Sequence, residues 1–241
     1  MLAQTAPMRR TRIARIRTLS RGLPRPAPAR CPRLHLPDMF DHYLRVLKDR
    51  WLEPFARALG RRVSPNTVSV LACLVGLLAA WAASEGRREL ALGCWLVNRT
   101  LDGFDGTLAR VTGRQTDFGG YLDIVLDFVV YTVVPIGAAV GSGAAGWELA
   151  LAWLLGAFFV NSASWMYLAA VLEKRAAGAA STGERTTVTM PPGLIAGTET
   201  ILFFSLFLLL PTRVPLLMWV MAALVMLGVL GRMVWARRML R

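Results

Sequence analysis

Of the five aspartates in the stretch NRTLDGFDGTLARVTGRQTDFGGYLDIVLDFVVY, which runs from Asn98 to Tyr131, four lie in apolar surroundings. They are separated by 3, 18 and 4 residues and flanked by runs of Leu, Val, Ala and Phe. A carboxylate at the centre of a bilayer costs about 2.5–3.5 kcal/mol even on lenient insertion scales. Side chains this costly indicate a functional site. The four residues are Asp102, Asp105, Asp123 and Asp127.

The spacing of the aspartates predicts two pairs, each on one face of a helix, because residues three or four apart share a face. The short polar link RVTGRQT between the pairs predicts antiparallel neighbouring helices, with both pairs near one membrane surface. Unpaired, the four carboxylates would repel one another. Clusters of oxygen ligands are typical of Mg²⁺, Mn²⁺ or Ca²⁺ sites, and two divalent ions would balance the charge.

Small residues and an arginine accompany the aspartates in a way that suits a phosphate-bearing substrate. Gly106 and Ala109 remove side chains where a ligand would approach the helix backbone, and Gly119 and Gly120 do so in the second segment. Arg110 provides a fixed cation suited to a diphosphate. Each Gly or Ala taken singly is also explained by helix packing in membranes. That alternative does not explain the aspartates.

The elements that carry these residues are predicted to be transmembrane helices. Hydrophobic residues make up 55% of the 241 residues, above the soluble norm of about 45–50%. Only helices and closed barrels cross lipid, so the predicted fold class is all-α integral membrane, with six transmembrane helices preceded by an interfacial amphipathic helix. The six apolar stretches, each long enough to cross a bilayer, are residues 66–83, 89–110, 116–140, 147–171, 191–210 and 214–235.

The chain divides into three parts by composition. Residues 1–38 contain nine arginines and one acidic residue and are predicted to form a basic disordered leader. An organelle transit peptide is one interpretation of such a leader; we favour the other, in which Met39 is the true start. Residues 39–64 predict a juxtamembrane amphipathic helix, kinked or divided at Pro54, and residues 65–241 predict the six-span domain.

The distribution of Lys and Arg predicts the orientation in the membrane. Of the 28 such residues, three lie in the loops after the first and fifth spans, and none lies in the loop after the third. The positive-inside rule therefore places both termini and the carboxylates on the cytoplasmic side of the membrane. We expect this membrane to be a bacterial cytoplasmic membrane. A net charge of +13 is elsewhere typical of nucleic-acid binding. In this sequence the positive charge is explained by arginines that set the orientation in the membrane and lie beside anionic lipids. We therefore expect no nucleic-acid partner.

The complete pattern resembles the signature of the CDP-alcohol phosphotransferase family (CDP-alcohol phosphatidyltransferase class-I). The matching positions are Asp102, Asp105, Gly106, Ala109, Arg110, Gly119, Asp123 and Asp127. The interfacial helix and six spans, with the motif on the second and third, resemble the family's layout. The resemblance implies transfer of a phosphatidyl or other phospho-alcohol group from a CDP-alcohol, most simply CDP-diacylglycerol, to an acceptor hydroxyl. CMP would be released, in phospholipid biosynthesis at the membrane.

The resemblance also implies roles for individual residues. Asp102, Asp105 and Asp123 would hold two divalent ions, Mg²⁺ or Mn²⁺, with Asp127 as a ligand to one ion and as the general base. A carboxylate suits that second role because it can accept the acceptor's proton as attack develops. The resemblance leaves open whether the protein forms a homodimer. The residues implied to hold the CDP-alcohol are Asn66, Thr67, Gly106, Ala109, Arg110 and Thr116.

The small alcohol that accepts the group is indicated less directly. In the inositol-phosphate branch of the family, arginines lie at the start of the fifth span, where this sequence has Gly197 and Thr200. The difference favours a non-phosphorylated acceptor such as inositol, serine or an amino alcohol; glycerol phosphate or inositol phosphate is the alternative. Glu199, an ionisable residue within a span, is predicted to line the acceptor pocket.

A small cation transporter is the rival interpretation from another class, because intramembrane carboxylates also form ion pathways. Two features oppose it. The aspartates cluster at one end of the predicted spans and leave no acidic relay across the bilayer, and the sequence Gly-x-x-Ala-Arg has no use in an ion path.

Overall fold

The helices of this protein follow the apolar stretches of its sequence. The computed structural model describes residues 51–60, 62–175, 195 and 197–240. Within them the secondary structure is helical, and a 3-10 turn at Pro211–Arg213 precedes the last helix. The α-helices are α1 (residues 51–59), α2 (Pro65–Ser84), α3 (Arg88–Thr112), α4 (Asp117–Ser142), α5 (Trp147–Lys174), α6 (Gly197–Leu209) and α7 (Val214–Met239).

Proline, threonine and glycine determine where the helices near the aspartates begin and end. Pro65 begins α2, at a position where its missing N–H costs no hydrogen bond. Thr116 caps α4, since its hydroxyl accepts a hydrogen bond from the backbone N–H of Gly119 at 3.0 Å. Gly113 ends α3 with a φ of 63°, a left-handed conformation that glycine adopts without strain. The C-terminus of α3 and the N-terminus of α4 therefore lie at the same end of the bundle.

The lengths and surfaces of the helices are those of a multi-pass membrane protein. In the described part of the chain, four helices are long and apolar enough to cross a bilayer: α2, α4, α5, and α7 with the turn before it. Their exposed faces carry large apolar side chains, such as Leu74, Trp153 and Leu227, which suits contact with lipid. α3 carries the charged motif, and α6 is a shorter apolar helix. The all-helical membrane class is confirmed, and the count of six crossings stays a prediction.

The predicted leader and most of the predicted interfacial helix lie outside the described residues, which begin at 51. The described remainder, α1, continues through Pro54, so this proline does not divide the helix there. Ala56 is fully buried against the bundle, whereas Trp51 and Phe55 are 71% and 67% exposed. The helix thus has a small buried residue on one side and large exposed aromatic residues on another.

α2 is the central helix of the part that carries the aspartates. It packs along both α3 and α4, whereas α3 and α4 make few backbone contacts with each other. The prediction that α3 and α4 are direct neighbours is therefore corrected: each packs on α2. Helices that present carboxylates toward one another gain little by closing together, because like charges repel. A gap is left between them, and side chains bridge it.

Buried aromatic rings join α6 to both sides of this gap. Phe204 of α6 is fully buried, and its ring centroid lies 5.1 Å from that of Trp95 of α3 and 5.8 Å from that of Tyr131 of α4. It also contacts Phe158 of α5 at 6.4 Å. Aromatic pairs at these separations contribute about 0.5–1.5 kcal/mol each beyond the area that they bury. α6 thus links three helices that otherwise share few contacts.

Two glycines allow α2 and α4 to approach each other closely. A Cβ on Gly137 would meet the backbone carbonyl of Ala80, and a Cβ on Gly141 would meet that of Ala83. Backbone atoms within a helix do not move aside as a flexible side chain does, so even alanine does not fit without a shift. Small residues of this kind are common where membrane helices pack.

Gly137→Ala and Gly141→Ala should each destabilise the bundle by forcing α2 and α4 apart. Overpacking costs about 1–3 kcal/mol, which exceeds the roughly 1 kcal/mol that alanine gains over glycine within a helix. Gly156→Ala in α5 is the matched control, because nothing lies within 4 Å of a Cβ there. Thermal unfolding in detergent should show lower midpoints for the first two variants only. Equal midpoints for all three would contradict the close approach.

Candidate active site

The four predicted aspartates converge across the gap between α3 and α4. Asp102 and Asp105 lie in the C-terminal half of α3, and Asp123 and Asp127 lie in the N-terminal half of α4. The carboxyl group of Asp102 interacts with those of Asp123 and Asp127. Asp105 interacts in turn with Asp102 and Asp127. The convergence predicted from the spacing is confirmed.

A serine from α2 supports the aspartate that is most deeply buried. Ser69 Oγ donates a hydrogen bond of 2.5 Å to Asp105 Oδ2, and both residues are buried. The same hydroxyl lies 3.2 Å from the carbonyl oxygen of Pro65, one turn earlier. Ser69 was not predicted from the sequence, because serine within a helix commonly bonds the carbonyl four residues before it. The available signal was its position one turn after Asn66, on the same face of α2.

Arg99 of α3 places a cation among the carboxylates. Its Nη2 donates a hydrogen bond of 2.9 Å to Asp127 Oδ1, and its Nη1 lies 3.6 Å from Asp102 Oδ2. The Arg99 side chain is 7% exposed, whereas those of Asp102 and Asp127 are 28% and 26% exposed. The guanidinium therefore binds the two carboxylates from the interior of the bundle and leaves them accessible from outside.

Aromatic and amide groups hold the Arg99 guanidinium in place. Its carbon lies 4.8 Å from the centroid of the Trp95 ring and 5.0 Å from that of Tyr131. Nη1 donates to the Tyr131 hydroxyl at 3.0 Å, and Nε donates to Asn98 Oδ1 at 2.7 Å. Asn98 Nδ2 donates in turn to the carbonyl of Ala72 in α2 at 2.7 Å. This role of Arg99 was not predicted, although the first aspartate, three residues later, shares its helix face.

A second group of predicted residues meets where α2 and α4 begin. A Cβ on Gly119 would lie 3.2 Å from Asn66 Oδ1 and 3.1 Å from Thr116 Oγ1. The missing side chain of Gly119 therefore makes room for two polar groups. Thr67, beside Asn66 in the first turn of α2, is exposed. The structure brings Asn66, Thr116 and Gly119 together at the end of the bundle that carries the link from α3 to α4.

The predicted phosphate-binding turn follows Asp105 directly on α3. A Cβ on Gly106 would lie 3.2 Å from Arg110 Nη1, so the guanidinium lies over the position of the missing side chain. Arg110 Nη2 donates to Thr107 Oγ1 at 3.1 Å. Ala109, the preceding residue, is half-buried. Helix backbone and a cation therefore adjoin each other within one turn of the carboxylates.

Glu199 lies in the first turn of α6 and is partly buried. Two residues later, the carbonyl oxygen of Ile201 accepts a hydrogen bond of 3.5 Å from Trp95 Nε1. Because the Trp95 ring also stacks on Arg99, this end of α6 is connected to the carboxylates through one side chain. Whether Glu199 lines an acceptor pocket stays a prediction.

The chemistry of the carboxylate cluster fits divalent metal ions. Aspartate oxygens are the ligands that Mg²⁺ and Mn²⁺ prefer, and one guanidinium does not balance the four carboxylates that converge here. In the described part of the chain, no three His, Cys, Asp or Glu side chains form a ready-made site for one ion. Arg99 binds two of the four carboxylates, so a cation is already present at that edge of the cluster.

Fold and site together define a multi-pass helical membrane protein with a carboxylate cluster and an adjoining cationic turn. The chain belongs to the CDP-alcohol phosphatidyltransferase family, whose sequence model matches residues 62–235. The resemblance drawn from the aspartate motif is thus confirmed, and the matched range includes the whole cluster. The protein is an enzyme that transfers a phospho-alcohol group from a CDP-alcohol, in a family that generally uses divalent metal ions.

Individual relatives show how far the similarity extends. The chain is 35% identical over 174 residues to the inner membrane protein YnjF of Escherichia coli (strain K12), covering 72% of this chain and 83% of that protein. It is 31% identical over 126 residues to archaetidylinositol phosphate synthase of Pyrococcus horikoshii, covering 52% of this chain and 66% of that one.

A solved structure shares the fold. It is the crystal structure of Mycobacterium tuberculosis phosphatidylinositol phosphate synthase (PgsA1) with CDP-DAG bound, with a TM-score of 0.60 and 20% sequence identity. The match covers 78% of this chain and 94% of that chain. At this identity, the similarity establishes the arrangement of the helices. The substrates of this chain have to be inferred from its own residues.

Ser69→Ala should lower turnover about 10–100-fold, the usual loss when a hydrogen bond that orients a metal-ligating carboxylate is removed. Ser205→Ala is the matched control, because Ser205 Oγ bonds the carbonyl of Ile201 one turn earlier and so loses a similar backbone contact. Release of CMP from a CDP-alcohol by the purified variants measures the effect. Equal rates for the two variants would show that Asp105 does not depend on its serine.

Proposed function

We propose that this protein transfers a phosphatidyl group from CDP-diacylglycerol to the hydroxyl of a small non-phosphorylated alcohol, with release of CMP. The observation that carries the proposal is the convergence of four carboxylates beside the Gly106–Arg110 turn. CDP-diacylglycerol is the proposed donor because the mycobacterial protein that shares the fold has CDP-DAG bound. The product would be a phospholipid whose head group is the acceptor.

The carboxylates are assigned to two divalent ions, Mg²⁺ or Mn²⁺. Asp102, Asp105 and Asp123 would hold them, with Asp127 as a ligand to one. When bound, such ions neutralise the donor's diphosphate and stabilise the charge that develops on departing CMP. The hydrogen bond from Ser69 to Asp105 supports this assignment, because it orients one of the ligands.

The donor's nucleotide is assigned to the surface where α2 and α4 begin. Arg110 would contact the diphosphate, since a guanidinium forms paired hydrogen bonds with phosphate oxygens. Gly106 and Ala109 would let the diphosphate approach the helix backbone. The polar residues assigned to the nucleotide are Asn66, Thr67 and Thr116, and the contact of Asn66 and Thr116 around Gly119 supports this grouping.

Asp127 is assigned as the general base. Its Oδ1 is hydrogen-bonded to Arg99, and its side chain is 26% exposed, so an acceptor can approach the carboxylate. The acceptor's hydroxyl oxygen bonds to the phosphorus that carries the diacylglycerol as the bond from that phosphorus to CMP breaks. The hydroxyl proton passes to Asp127, and the electron pair of the broken bond leaves with CMP. Proton transfer of this kind contributes about 10²–10⁴-fold.

The start of α6 supports a non-phosphorylated acceptor. Glu199 offers a negative charge there, with Gly197 and Thr200 beside it. A carboxylate attracts hydroxyl or amino groups and disfavours a phosphate, so inositol, serine or an amino alcohol suits this position. The second candidate is a phosphorylated acceptor, glycerol phosphate or inositol phosphate. It is supported by the archaeal relative, which is named an archaetidylinositol phosphate synthase.

The chain is proposed to cross a bacterial cytoplasmic membrane six times, through α2 to α7, with both termini and the carboxylates on the cytoplasmic side. The name of the E. coli relative, an inner membrane protein, supports this location. α3 has 25 residues and so spans about 37 Å, enough to cross the bilayer. α1 would lie in the interface as the end of a juxtamembrane segment, residues 39–64, preceded by the leader, residues 1–38.

Release of CMP from CDP-diacylglycerol by the purified protein tests the proposed function. Inositol, serine, ethanolamine, glycerol phosphate and inositol phosphate are offered in turn. We expect release with a non-phosphorylated alcohol, loss of release in EDTA, and recovery with Mg²⁺ or Mn²⁺. Release that requires a phosphorylated alcohol would select the second candidate. Undiminished turnover in EDTA would contradict the assignment of metal ions.

Asp127→Asn should suppress turnover about 10²–10⁴-fold while it weakens binding of the CDP-lipid much less. Asparagine keeps the size and one carbonyl oxygen, but it does not take up the acceptor's proton. Asp102→Asn should impair donor binding as well, because Asp102 would hold a metal ion that neutralises the donor's diphosphate. Asp117→Asn, at an exposed position on α4, is the matched control.

Donor affinity and turnover are measured separately for these three variants at saturating Mg²⁺. A normal rate in Asp127→Asn would show that Asp127 is not the base. A normal donor affinity in Asp102→Asn would show that Asp102 does not hold an ion that the diphosphate contacts.

A further inference from the structure

Arg99 contacts two of the proposed metal ligands at once. Its guanidinium contacts Asp127 at 2.9 Å and Asp102 at 3.6 Å, and both are proposed metal ligands. One aspartate lies on α4 and the other on α3, so the cation bridges the gap between the two helices. A fixed positive charge here competes for the same oxygen atoms that a divalent ion would bind.

The guanidinium is held firmly in this position. The rings of Trp95 and Tyr131 stack on it, and the Tyr131 hydroxyl and Asn98 Oδ1 accept its hydrogen bonds. Asn98 is itself buried and bonded to the backbone of α2. Arg99 would lose contacts with two aromatic rings and two polar groups if it moved away, so an arriving metal ion does not simply displace it.

We propose that Arg99 is a tethered cation that competes with divalent ions for Asp102 and Asp127 and thereby weakens metal binding at this edge of the cluster. The inference rests on the proposed function, because it takes these two aspartates as metal ligands. Arg99 is a positioning residue: it acts through Asp127, whose Oδ1 it holds.

The expected size of the effect of Arg99 on metal binding follows from the charges involved. A unit charge within about 5 Å of a divalent ion changes its binding by an order of magnitude or more at the effective dielectric of protein sites. Removal of the Arg99 charge should therefore strengthen metal binding and, because Asp127 loses its orientation, slow the reaction. If Arg99 served only to hold α3 and α4 together, its removal would instead weaken both metal binding and turnover.

The test is titration of the purified protein with Mn²⁺ alone, without donor lipid, with free Mn²⁺ followed by electron paramagnetic resonance. Arg99→Met removes the charge and keeps an unbranched apolar chain, and Arg99→Lys keeps the charge. Arg87→Met is the matched control, because Arg87 also stacks on a tryptophan, Trp81, at 5.2 Å and lies at the N-terminus of α3, away from the carboxylates.

We expect Arg99→Met to bind Mn²⁺ about tenfold or more tightly than the natural protein, with slower CMP release. Arg99→Lys and Arg87→Met should bind Mn²⁺ as the natural protein does. Adding Asp127→Asn to Arg99→Met should remove the gain. Unchanged or weaker Mn²⁺ binding in Arg99→Met would overturn the proposal.

If Arg99→Met does not fold, Arg99→Gln replaces it, since glutamine keeps a hydrogen-bond donor near Asp127 without the charge. Tighter Mn²⁺ binding is again required, and its absence overturns the proposal. CMP release by the natural protein is read separately. No release, together with tighter Mn²⁺ binding in the variant, would reject the proposed reaction and leave the role of Arg99 standing.

Discussion

The ion pair between Arg99 and Asp127 joins the two helices that present the carboxylates. Four aspartates in an apolar bundle repel one another, and they remain together only where cations and hydrogen-bond donors compensate them. Arg99 supplies part of that compensation from the interior and does so without closing the gap. The remaining negative charge is what a divalent ion would balance. The stability of the site and its chemistry therefore both depend on how the charges of the carboxylates are compensated.

α2 is the element that allows this gap to exist. It packs against both α3 and α4, and Gly137 of α4 lets the backbones of α2 and α4 approach closely. The same helix reaches the site with Ser69, which holds Asp105, and with the carbonyl of Ala72, which holds Asn98. One helix thus keeps the other two at a set separation and orients the side chains between them.

Several layers of contact connect the carboxylates to the hydrophobic core. Trp95 stacks on Arg99, donates to the backbone of α6 and contacts the ring of Phe204. Phe204 in turn contacts rings on α4 and α5. Because interiors are close-packed, a shift of α6 would be felt at Arg99.

The amino-acid sequence alone determined which segments are helices, that they belong in a membrane, and which carboxylates come near one another. These properties depend on local hydropathy and on the helical spacing of neighbours, and both are read from consecutive residues. The tertiary structure decided that α2 lies against both α3 and α4, that Ser69 bonds Asp105, and that Arg99 bonds Asp127, 28 residues away. Such contacts depend on how each helix is rotated and shifted against the next, and periodicity along one helix does not specify that rotation.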